Sequence, residues 1–280
     1  MSQKSYNGSP TLYFIPTPIG NLEDITIRAI NTLKMVDFIL CEDTRVTSIL
    51  LNKYEIKKSL VRCDEYSQSK LKEQIIQSLS DGKNIGFVSD AGSPIVSDPG
   101  YIVAKYVIDA GYNVVALPGS TAFVPALSVS GINPSPFIFY GFLSDKVSKQ
   151  KKELELLKSK TETLIFYVSV HDVKSTLNSF YEILGDRKIA ICRELTKIHE
   201  EIIRGTIREC LNDLSSLKGE FVIIVEGNTE ITDFSNITIE EHVNIFIEDG
   251  MSKMDAIKKV AKERGVSKSI VYNEYNKINK

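Results

Sequence analysis

The chain has 280 residues, of which 42% are hydrophobic, and this length allows a substantial buried core and favours two domains of ordinary size. The composition excludes a disordered or fibrous protein. A net charge of −2 at pH 7 excludes a basic field over the whole surface. A nucleic-acid partner would therefore have to be held by a local patch.

Cysteine spacing and hydropathy indicate the compartment. The cysteines are widely spaced and form no C-x-x-C pair, a pattern typical of reduced, structural thiols. The first residues contain no apolar signal region, and no stretch approaches the roughly 20 apolar residues that a membrane helix needs. We therefore expect a cytoplasmic protein that does not enter a membrane.

In the first half of the chain, short β-rich runs alternate with amphipathic segments of helical length. This alternation predicts βα units with a parallel sheet, and so an α/β fold. The predicted strand and helix pairs are Leu12–Ile15 with Ile25–Lys34, Val36–Cys41 with Val46–Tyr54, Asn84–Ser89 with Tyr101–Ala110, and Val114–Leu117 with Thr121–Ser130.

In the second half, predicted strands cluster more closely, which favours a mixed sheet. The charged stretch 144–153 predicts either an exposed hinge between domains or the start of a solvated helix, and we place the domain boundary between Gly131 and Phe137. The predicted strands are Phe137–Tyr140, Thr163–Tyr167, Lys188–Cys192 and Glu220–Val225, and the predicted helices are Val173–Leu184 and Thr206–Leu214.

The C-terminal segment has a different character. A helical pattern covers Ile239–Glu248, Ser252 begins a capping-box-like helix start, and a Gly turn at Gly265 leads to a last helix capped by Ser267, as in a helix-turn-helix. Residues 251–280 contain eight Lys or Arg against three Asp or Glu, whereas the rest of the chain is acidic overall. The predicted organisation is an α/β domain over 11–133, a second α/β domain over 134–228 and a small helical C-terminal extension over 229–280.

Several common motifs are missing from the sequence. It has no G-x-G-x-x-G after the first strand, no G-x-x-x-x-G-K-[ST], no G-x-S-x-G and no H-E-x-x-H. These absences weigh against a Rossmann-type dehydrogenase or methyltransferase, a P-loop ATPase, a hydrolase and a zinc enzyme. We expect no bound metal.

Three loops rich in small residues directly follow predicted strands, where α/β sheets bind ligands. They are 16–22, 89–100 and 117–122. The second contains two S-D-x-G units, which supply carboxylates, hydroxyls and unobstructed N–H groups suited to an amino-acid tail and a ribose. The first and third could each be an ordinary turn or a helix cap, so their shared position on one sheet edge is the stronger indication of a binding site.

Two charged segments also follow predicted strands. Glu42, Asp43 and Arg45 come after the second strand, where Asp43 or Thr44 could instead cap the next helix. The run 193–201, which includes Lys197, packs six ionisable side chains into nine residues and could equally be a solvated loop. We expect His171 and His199 to be structural rather than catalytic.

A series of segments carries a family resemblance. In chain order they are TPIGNLEDIT, CEDTR, VSDAGSPIVSDPGY, ALPGSTA, LSVSGI, GFL, LIFYVSVH, ICRELTKIHEEIIRGT and GEFVIIVEG. Together they closely resemble the ribosomal RNA small subunit methyltransferase I family, which has the tetrapyrrole (corrin/porphyrin) methylase fold. The segments RCDEY at 62–66 and YVSVHD at 167–172 depart from the family pattern.

The resemblance implies two α/β domains with S-adenosylmethionine in the cleft between them, 2′-O-methylation of a cytidine in 16S rRNA, and a homodimer. It also implies a set of cofactor-binding positions, to which we add Asp90 because it precedes them. The predicted cofactor-binding residues are Pro18, Asp90, Ala91, Gly92, Ser93, Val96, Thr121, Ala122, Val168 and Leu195.

Methyl transfer to a ribose hydroxyl requires collinear positioning and benefits from a base or a nearby cation. Our candidates are Glu42 and Asp43 as base or orienting group, with Arg45 and Lys197 near the RNA phosphate or the reacting oxygen. The basic C-terminal segment is a candidate RNA-docking patch or a helical cap. Two alternatives stay open: a precorrin-type tetrapyrrole methylase, and a non-catalytic RNA-binding assembly factor that senses S-adenosylmethionine.

Overall fold

The computed structural model describes residues 2–213, 218–229 and 237–277. They form two compact units, one ending at Asn228 and the other beginning at Thr229. No described helix combines the length and the apolar character that crossing a bilayer requires. All four cysteines are buried and free.

The first sheet is parallel throughout, as the βα alternation predicts. Its strand order is β3-β2-β4-β1-β5. The strands are β1 (Thr11–Phe14), β2 (Phe38–Cys41), β3 (Ser59–Arg62), β4 (Ile85–Val88) and β5 (Asn113–Ala116), and the helices between them are α1 (Ile27–Met35), α2 (Thr44–Lys53), α3 (Lys72–Ser80) and α4 (Tyr101–Asp109).

Alternating side chains on these strands fill a core on each face of the sheet. Leu12 and Phe14 of β1 pack on one face with Phe87, whereas Ile15 and Ile39 pack on the other. Burial on both faces explains why the central strand β4 is a continuous apolar run. The four residues of β4 are all buried, because this strand lies at the centre of the sheet.

The second sheet is mixed, as predicted, with the order β6-β7-β10-β8-β9. Only β6 and β7 run parallel among its pairings, and the others are antiparallel. Its strands are β6 (Phe137–Phe142), β7 (Thr163–Val168), β8 (Lys188–Arg193), β9 (Glu201–Thr206) and β10 (Phe221–Val225), and the helices in this part of the chain are α5 (Phe123–Ser130), α6 (Val147–Leu157), α7 (Val173–Leu184) and α8 (Ile207–Asp213).

Helices cover both faces of the second sheet. Ala126 of α5 packs with Ile165, Ala190 and Val222 on one face, although α5 follows the last strand of the first sheet. The larger core on the other face contains buried residues of α6 and α7. The charged stretch at 144–153 is therefore largely the beginning of a helix, α6, which was one of its two predicted forms.

The C-terminal unit consists of α9 (Ile239–Glu248), α10 (Lys253–Glu263) and α11 (Lys268–Lys277). A full capping box at Thr238 starts α9, and the Ser252 side chain accepts a hydrogen bond from the Asp255 backbone N–H at the start of α10. The three helices pack around Val243, Ile257 and other buried apolar residues. The helical pattern predicted for this segment is confirmed.

Candidate active site

The loops after β1 and β4 are joined by backbone hydrogen bonds. Thr17 and Gly92 exchange two N–H to carbonyl bonds, each 2.9 Å long. The Thr17 hydroxyl also donates to the carbonyl of Ser89 at 3.1 Å. The two loops therefore form one rigid ledge at the carboxyl edge of the first sheet.

The loop after β5 contacts the same ledge through a hydrogen bond and close packing. The Ser93 hydroxyl donates to the carbonyl of Ser120 at 2.9 Å. A Cβ atom on Gly119 would lie 2.5 Å from the Cβ of Pro16, so only glycine allows this close approach. The three loops singled out in the sequence thus lie together and support one another.

A cavity of about 420 Å³ lies between this ledge and the second sheet, in the size range of small-molecule sites. It is lined by most of the predicted cofactor positions, drawn from both sheets. These are Ala91, Gly92, Ser93, Val96, Thr121, Ala122, Val168 and Leu195.

Pro18 and Asp90 lie outside the cavity wall. Pro18 is buried within its loop, next to Ile19, which does line the cavity. The Asp90 carboxylate accepts a hydrogen bond from the backbone N–H of Asp43 at 3.0 Å, so it joins the loop after β4 to the loop after β2. Both residues support the cavity from behind.

Several lining residues were not predicted from the sequence, notably Asp98, Tyr167 and Glu220. The backbone groups of Ala122 and Phe123 at the start of α5 hydrogen-bond to the Tyr167 hydroxyl, and burial raises the pKa of this phenol. The second S-D-x-G unit, 97–100, contained the signal for Asp98. Glu220 lies in the segment GEFVIIVEG that carries the family resemblance, but no residue pattern singled it out.

The segment after β2 forms a charged rim beside the cavity. Asp43 is the N-cap of α2 and accepts the Arg45 backbone N–H at 2.8 Å. Hydrogen bonds from the Arg45 side chain and backbone hold the pKa of Asp43 at about 2. Asp43 is therefore a weak proton acceptor in this arrangement, and the capping role weighed for it is the one that the geometry favours.

Glu42 has a different environment from its neighbour Asp43. Burial and the nearby charge of Asp90 raise the pKa of the Glu42 carboxyl. Arg45, by contrast, has a side chain that is 88% exposed. The rim thus presents a partly buried carboxylate beside an accessible guanidinium.

Asp98 is the carboxylate within the cavity wall on the side of the first sheet. Burial and the charge of Glu42 raise the pKa of Asp98 to about 7, although a hydrogen bond with Ser89 opposes the shift. This pKa lies well above the ordinary range of an aspartate. The carboxyl can therefore accept a proton and later release it.

Lys197 fastens the loop between β8 and β9 to the loop after β1. Its ammonium group lies 2.8 Å from Glu194 and 3.0 Å from Glu220. Its side-chain stem lies over Gly20, where a Cβ would come within 2.5 Å of the Lys197 Cγ. The Asn21 backbone N–H also donates to the Thr196 hydroxyl at 3.2 Å. We call these contacts between 20–21 and 194–197 the clasp.

His171 and His199 are exposed and do not line the cavity. Within the described part of the chain, no group of three or more His, Cys, Asp or Glu side chains could hold a metal ion.

The cavity suits the chemical groups of S-adenosylmethionine. Ile19, Val96 and Leu195 supply apolar surface for the adenine and the methyl group, and Ser93 and Thr121 supply hydroxyls for polar groups. Asp98 puts a carboxylate in the wall, which favours a ligand carrying a sulfonium or an ammonium group. The residues present therefore fit this cofactor.

Comparison with known proteins defines the class. The family model for Tetrapyrrole (Corrin/Porphyrin) Methylases matches residues 11–211. Solved structures with the same fold include the methyltransferase CobJ, at a TM-score of 0.59 and 16% identity over 78% of this chain and 94% of that one. A uroporphyrin-III-C-methyltransferase from Thermus thermophilus has a TM-score of 0.54 at 18% identity, covering 77% of this chain and 94% of that one. The chain belongs to the tetrapyrrole methylase family.

Within that family, its similarity is to the proteins named ribosomal RNA small subunit methyltransferase I. The protein of that name from Bacillus subtilis is 48% identical over 98% of each chain. The one from Halalkalibacterium halodurans is 43% identical over 98% of this chain and 99% of its own. The chain is therefore an S-adenosylmethionine-dependent methyltransferase of this group, as its motifs predict.

Proposed function

We propose that the chain transfers a methyl group from S-adenosylmethionine to the 2′-hydroxyl of a cytidine in 16S ribosomal RNA of the small subunit. The observation that carries this proposal is the match of 48% identity over 98% of both chains with a protein named for small-subunit ribosomal RNA. The cavity supports it, because residues of all three small-residue loops line one space that fits the methyl donor.

The proposed binding mode assigns a role to each loop. Gly92, Ser93 and Val96 would bind the donor from the first sheet, with Thr121 and Ala122 beside them, and Val168 and Leu195 would hold it from the second sheet. Pro18 and Asp90 would act by fixing the loops. When bound, the donor supplies an electrophilic methyl group on sulfur, and the protein contributes by holding the acceptor oxygen in line with it.

The rim after β2 is the proposed entrance for the RNA. Arg45, whose guanidinium is largely exposed, would contact a phosphate, and Glu42 would orient the ribose hydroxyl. Lys197 is already paired with two carboxylates, so we propose that it stabilises the clasp and does not bind an RNA phosphate. The nucleotide would have to be unstacked to reach the cavity.

The C-terminal unit would supply RNA affinity. Exposed lysines on α10 and α11, among them Lys258, Lys262 and Lys268, give residues 251–280 the basic character predicted from the sequence. Phosphate contacts of this kind add affinity that is independent of RNA sequence and sensitive to salt. A relative from Thermotoga maritima that bears the same name matches only 77% of this chain but 98% of its own length, which supports an accessory role for part of the chain.

The oligomeric state, the cellular compartment and the domain limits belong to the same proposal. The enzyme would act as a homodimer in the cytoplasm, on small ribosomal subunits. The domain limits 11–133, 134–228 and 229–280 are part of this proposal, and the positions of the two sheets and of the C-terminal helices support them.

Radiolabelled methyl transfer separates the proposal from its alternatives. Purified chain and tritiated S-adenosylmethionine are incubated with 30S subunits that lack the modification. A parallel reaction contains a precorrin in place of the 30S subunits. Label in 16S RNA is expected. Label in the precorrin alone would identify a tetrapyrrole methylase, and cofactor binding without transfer to either acceptor would favour an assembly factor.

A further inference from the structure

An exposed phenylalanine lies where the cavity opens to solvent. Phe142 is the last residue of β6, the edge strand of the second sheet, and it lines the cavity although it is 57% exposed. Its ring meets the ring of Tyr167 edge-on, with 5.5 Å between the two centroids. The Phe142 ring is therefore accessible to a planar group that arrives from solvent.

The end of β6 and the rim after β2 are connected through the loop after β4. A Cβ on Gly141 would come within 2.9 Å of the Ser97 hydroxyl, so the end of β6 packs against that loop. The next residue of the loop is Asp98, and its pKa is raised by the nearby charge of Glu42 on the rim. A nucleotide that enters beside the rim therefore comes within reach of the Phe142 ring.

A row of lysines begins four residues after Phe142. Lys146, Lys149 and Lys152 recur at intervals of three residues over the start of α6, which places them near one another on the helix surface. All three are exposed, whereas Gln150, on the face of the helix towards the core, is buried. We call these three residues the lysine row.

The segment that carries the lysine row has an excess of positive charge. Residues 144–160 contain six lysines against three acidic residues, although the whole chain has a net charge of −2. One of the three, Glu153, accepts hydrogen bonds from the backbone N–H and the hydroxyl of Ser144, and the exposed Asp145 and Glu155 are the others. The Glu153 contacts also fasten α6 to the end of β6, which keeps the lysine row beside the cavity opening.

The ring and the lysine row together match one kind of ligand. The methyl donor is a cation at sulfur and carries no phosphate, so it has no use for a row of lysines outside the cavity. An acidic protein segment would pair with the lysines but would bring no planar base to the ring. An unpaired RNA strand supplies both groups, because it carries regularly spaced phosphates and bases with accessible faces.

We propose that Phe142 stacks on the base of the target nucleotide while the lysine row binds phosphates of the same RNA strand. This inference rests on the function proposed above and names the surface that holds its substrate. Stacking on Phe142 would fix a base that has left its helix, and so position the attached ribose at the cavity opening. Phosphate contacts orient the strand and do not read its sequence.

The first test measures binding of 30S subunits that lack the modification, over a range of salt concentrations. Replacing all three lysines of the row by alanine is expected to weaken binding by about tenfold or more at low salt. The slope of log affinity against log salt should become shallower by about 2, since each contact with a single strand contributes about 0.7. The matched control replaces three exposed lysines outside the row, Lys105, Lys158 and Lys160, by alanine. The control should bind as the wild-type chain does.

The second test measures methyl transfer to 30S subunits by variants of β6. Phe142→Leu keeps an apolar side chain but removes the ring, and it is expected to lower kcat/KM by about tenfold or more. Phe142→Tyr should retain most of the activity. Phe137→Leu, at the other end of the strand and 43% exposed, is the matched control and should behave as the wild-type chain does. Calorimetry with S-adenosylhomocysteine should give the wild-type affinity for all three variants.

The outcomes separate this inference from the proposed function. Wild-type affinity and salt dependence in the triple lysine variant, or wild-type transfer by Phe142→Leu, would overturn the inference. Weaker binding of S-adenosylhomocysteine by Phe142→Leu would also overturn it, because the ring would then serve the donor. A wild-type chain that binds 30S subunits through the lysine row and Phe142, yet transfers no methyl group to RNA, would overturn the proposed function alone.

Discussion

The small side chain of Ala122 leaves space in the cavity. It lies at the start of α5, lines the cavity, and its small methyl group leaves room for a ligand. Replacing it by phenylalanine would place a ring where the donor should lie. We expect Ala122→Phe to weaken binding of S-adenosylmethionine and S-adenosylhomocysteine by at least about tenfold, a loss of roughly 1.4 kcal/mol.

Val124→Phe is the matched control, because Val124 lies on the same helix and is 50% exposed. It should bind both ligands as the wild-type chain does. Calorimetric titration checks the affinities, and thermal unfolding checks that both variants fold. Wild-type affinity in Ala122→Phe would show that the donor binds elsewhere.

The positions of the small residues could be predicted from the sequence because their loops directly follow strands of a parallel sheet. The sequence could not show which of the two S-D-x-G units places its aspartate in the cavity wall. Asp90, for which a cofactor contact stays a prediction, bonds to the backbone of Asp43, whereas Asp98, which was not singled out, lines the cavity. Which carboxylate faces inward depends on the positive φ values at Ile95 and Ser97, which no sequence pattern indicates.

Two of the edge strands, β3 and β9, were not predicted from the sequence. β3 is an edge strand of four residues with no buried position, and β9 begins at the end of a charged run. Such strands lack the apolar pattern that identifies central strands like β4. Their place in the fold is fixed by pairing with β2 and β8, which is a tertiary contact.

The clasp joins loops from both sheets beside the cavity, and its fit depends on Gly20. We expect Gly20→Ala to displace the Lys197 stem, break its ion pairs and raise the Kd for S-adenosylmethionine several-fold, because Ile19 and Leu195 of these loops line the cavity. Lys197→Ala should have a similar effect.

The double variant Gly20→Ala with Lys197→Ala provides the control. Once the lysine stem is absent, the added methyl group has nothing to displace, and only the backbone strain at the positive φ of Gly20 remains. The double variant should therefore lose less affinity than the sum of the two single losses. Calorimetric affinities of the four proteins complete the cycle. Additive losses would contradict a steric contact between these two residues.

A buried histidine makes the C-terminal helices sensitive to acid. His242 on α9 is 4% exposed, its Nδ1 accepts from the Arg264 guanidinium at 3.2 Å, and its Nε2 lies 2.9 Å from Glu263. This pattern suits a neutral imidazole, with one nitrogen accepting and one donating. Burial lowers the pKa of His242 below its ordinary value of 6.5.

Because the folded pKa is the lower one, the unfolded chain binds more protons as the pH falls through 6.5. The stability that neutral His242 contributes is therefore present above that pH and lost below it. We expect amide hydrogen-exchange protection over 239–263, corrected for intrinsic rates, to be lower at pH 5.5 than at pH 7.5. His242→Gln should reduce this difference, whereas exposed His199→Gln should not. If His242→Gln and His199→Gln changed the difference in protection between pH 5.5 and pH 7.5 by the same amount, the assignment to His242 would be contradicted.

At the scale of the whole molecule, the sequence predicts one cofactor site formed by two α/β halves, and the fold agrees with that class. The cavity wall takes residues from segments more than 100 residues apart in the chain, such as Ala91 in a loop and Val222 in β10. Tyr167, Glu220 and Asp98 lie within segments that carry the family resemblance, but the resemblance did not single them out as cofactor positions. Those residues enter the wall only because the second sheet closes over the loops of the first.

The chemical position of the methyl group tests the central claim most directly. 16S RNA methylated by the purified chain is digested to nucleosides. Tandem mass spectrometry then determines whether the mass added by the methyl group stays with the ribose fragment or with the base fragment. The account predicts a single modified cytidine with the methyl group on the ribose. A methyl group on the base, or on no RNA nucleoside at all, would contradict it.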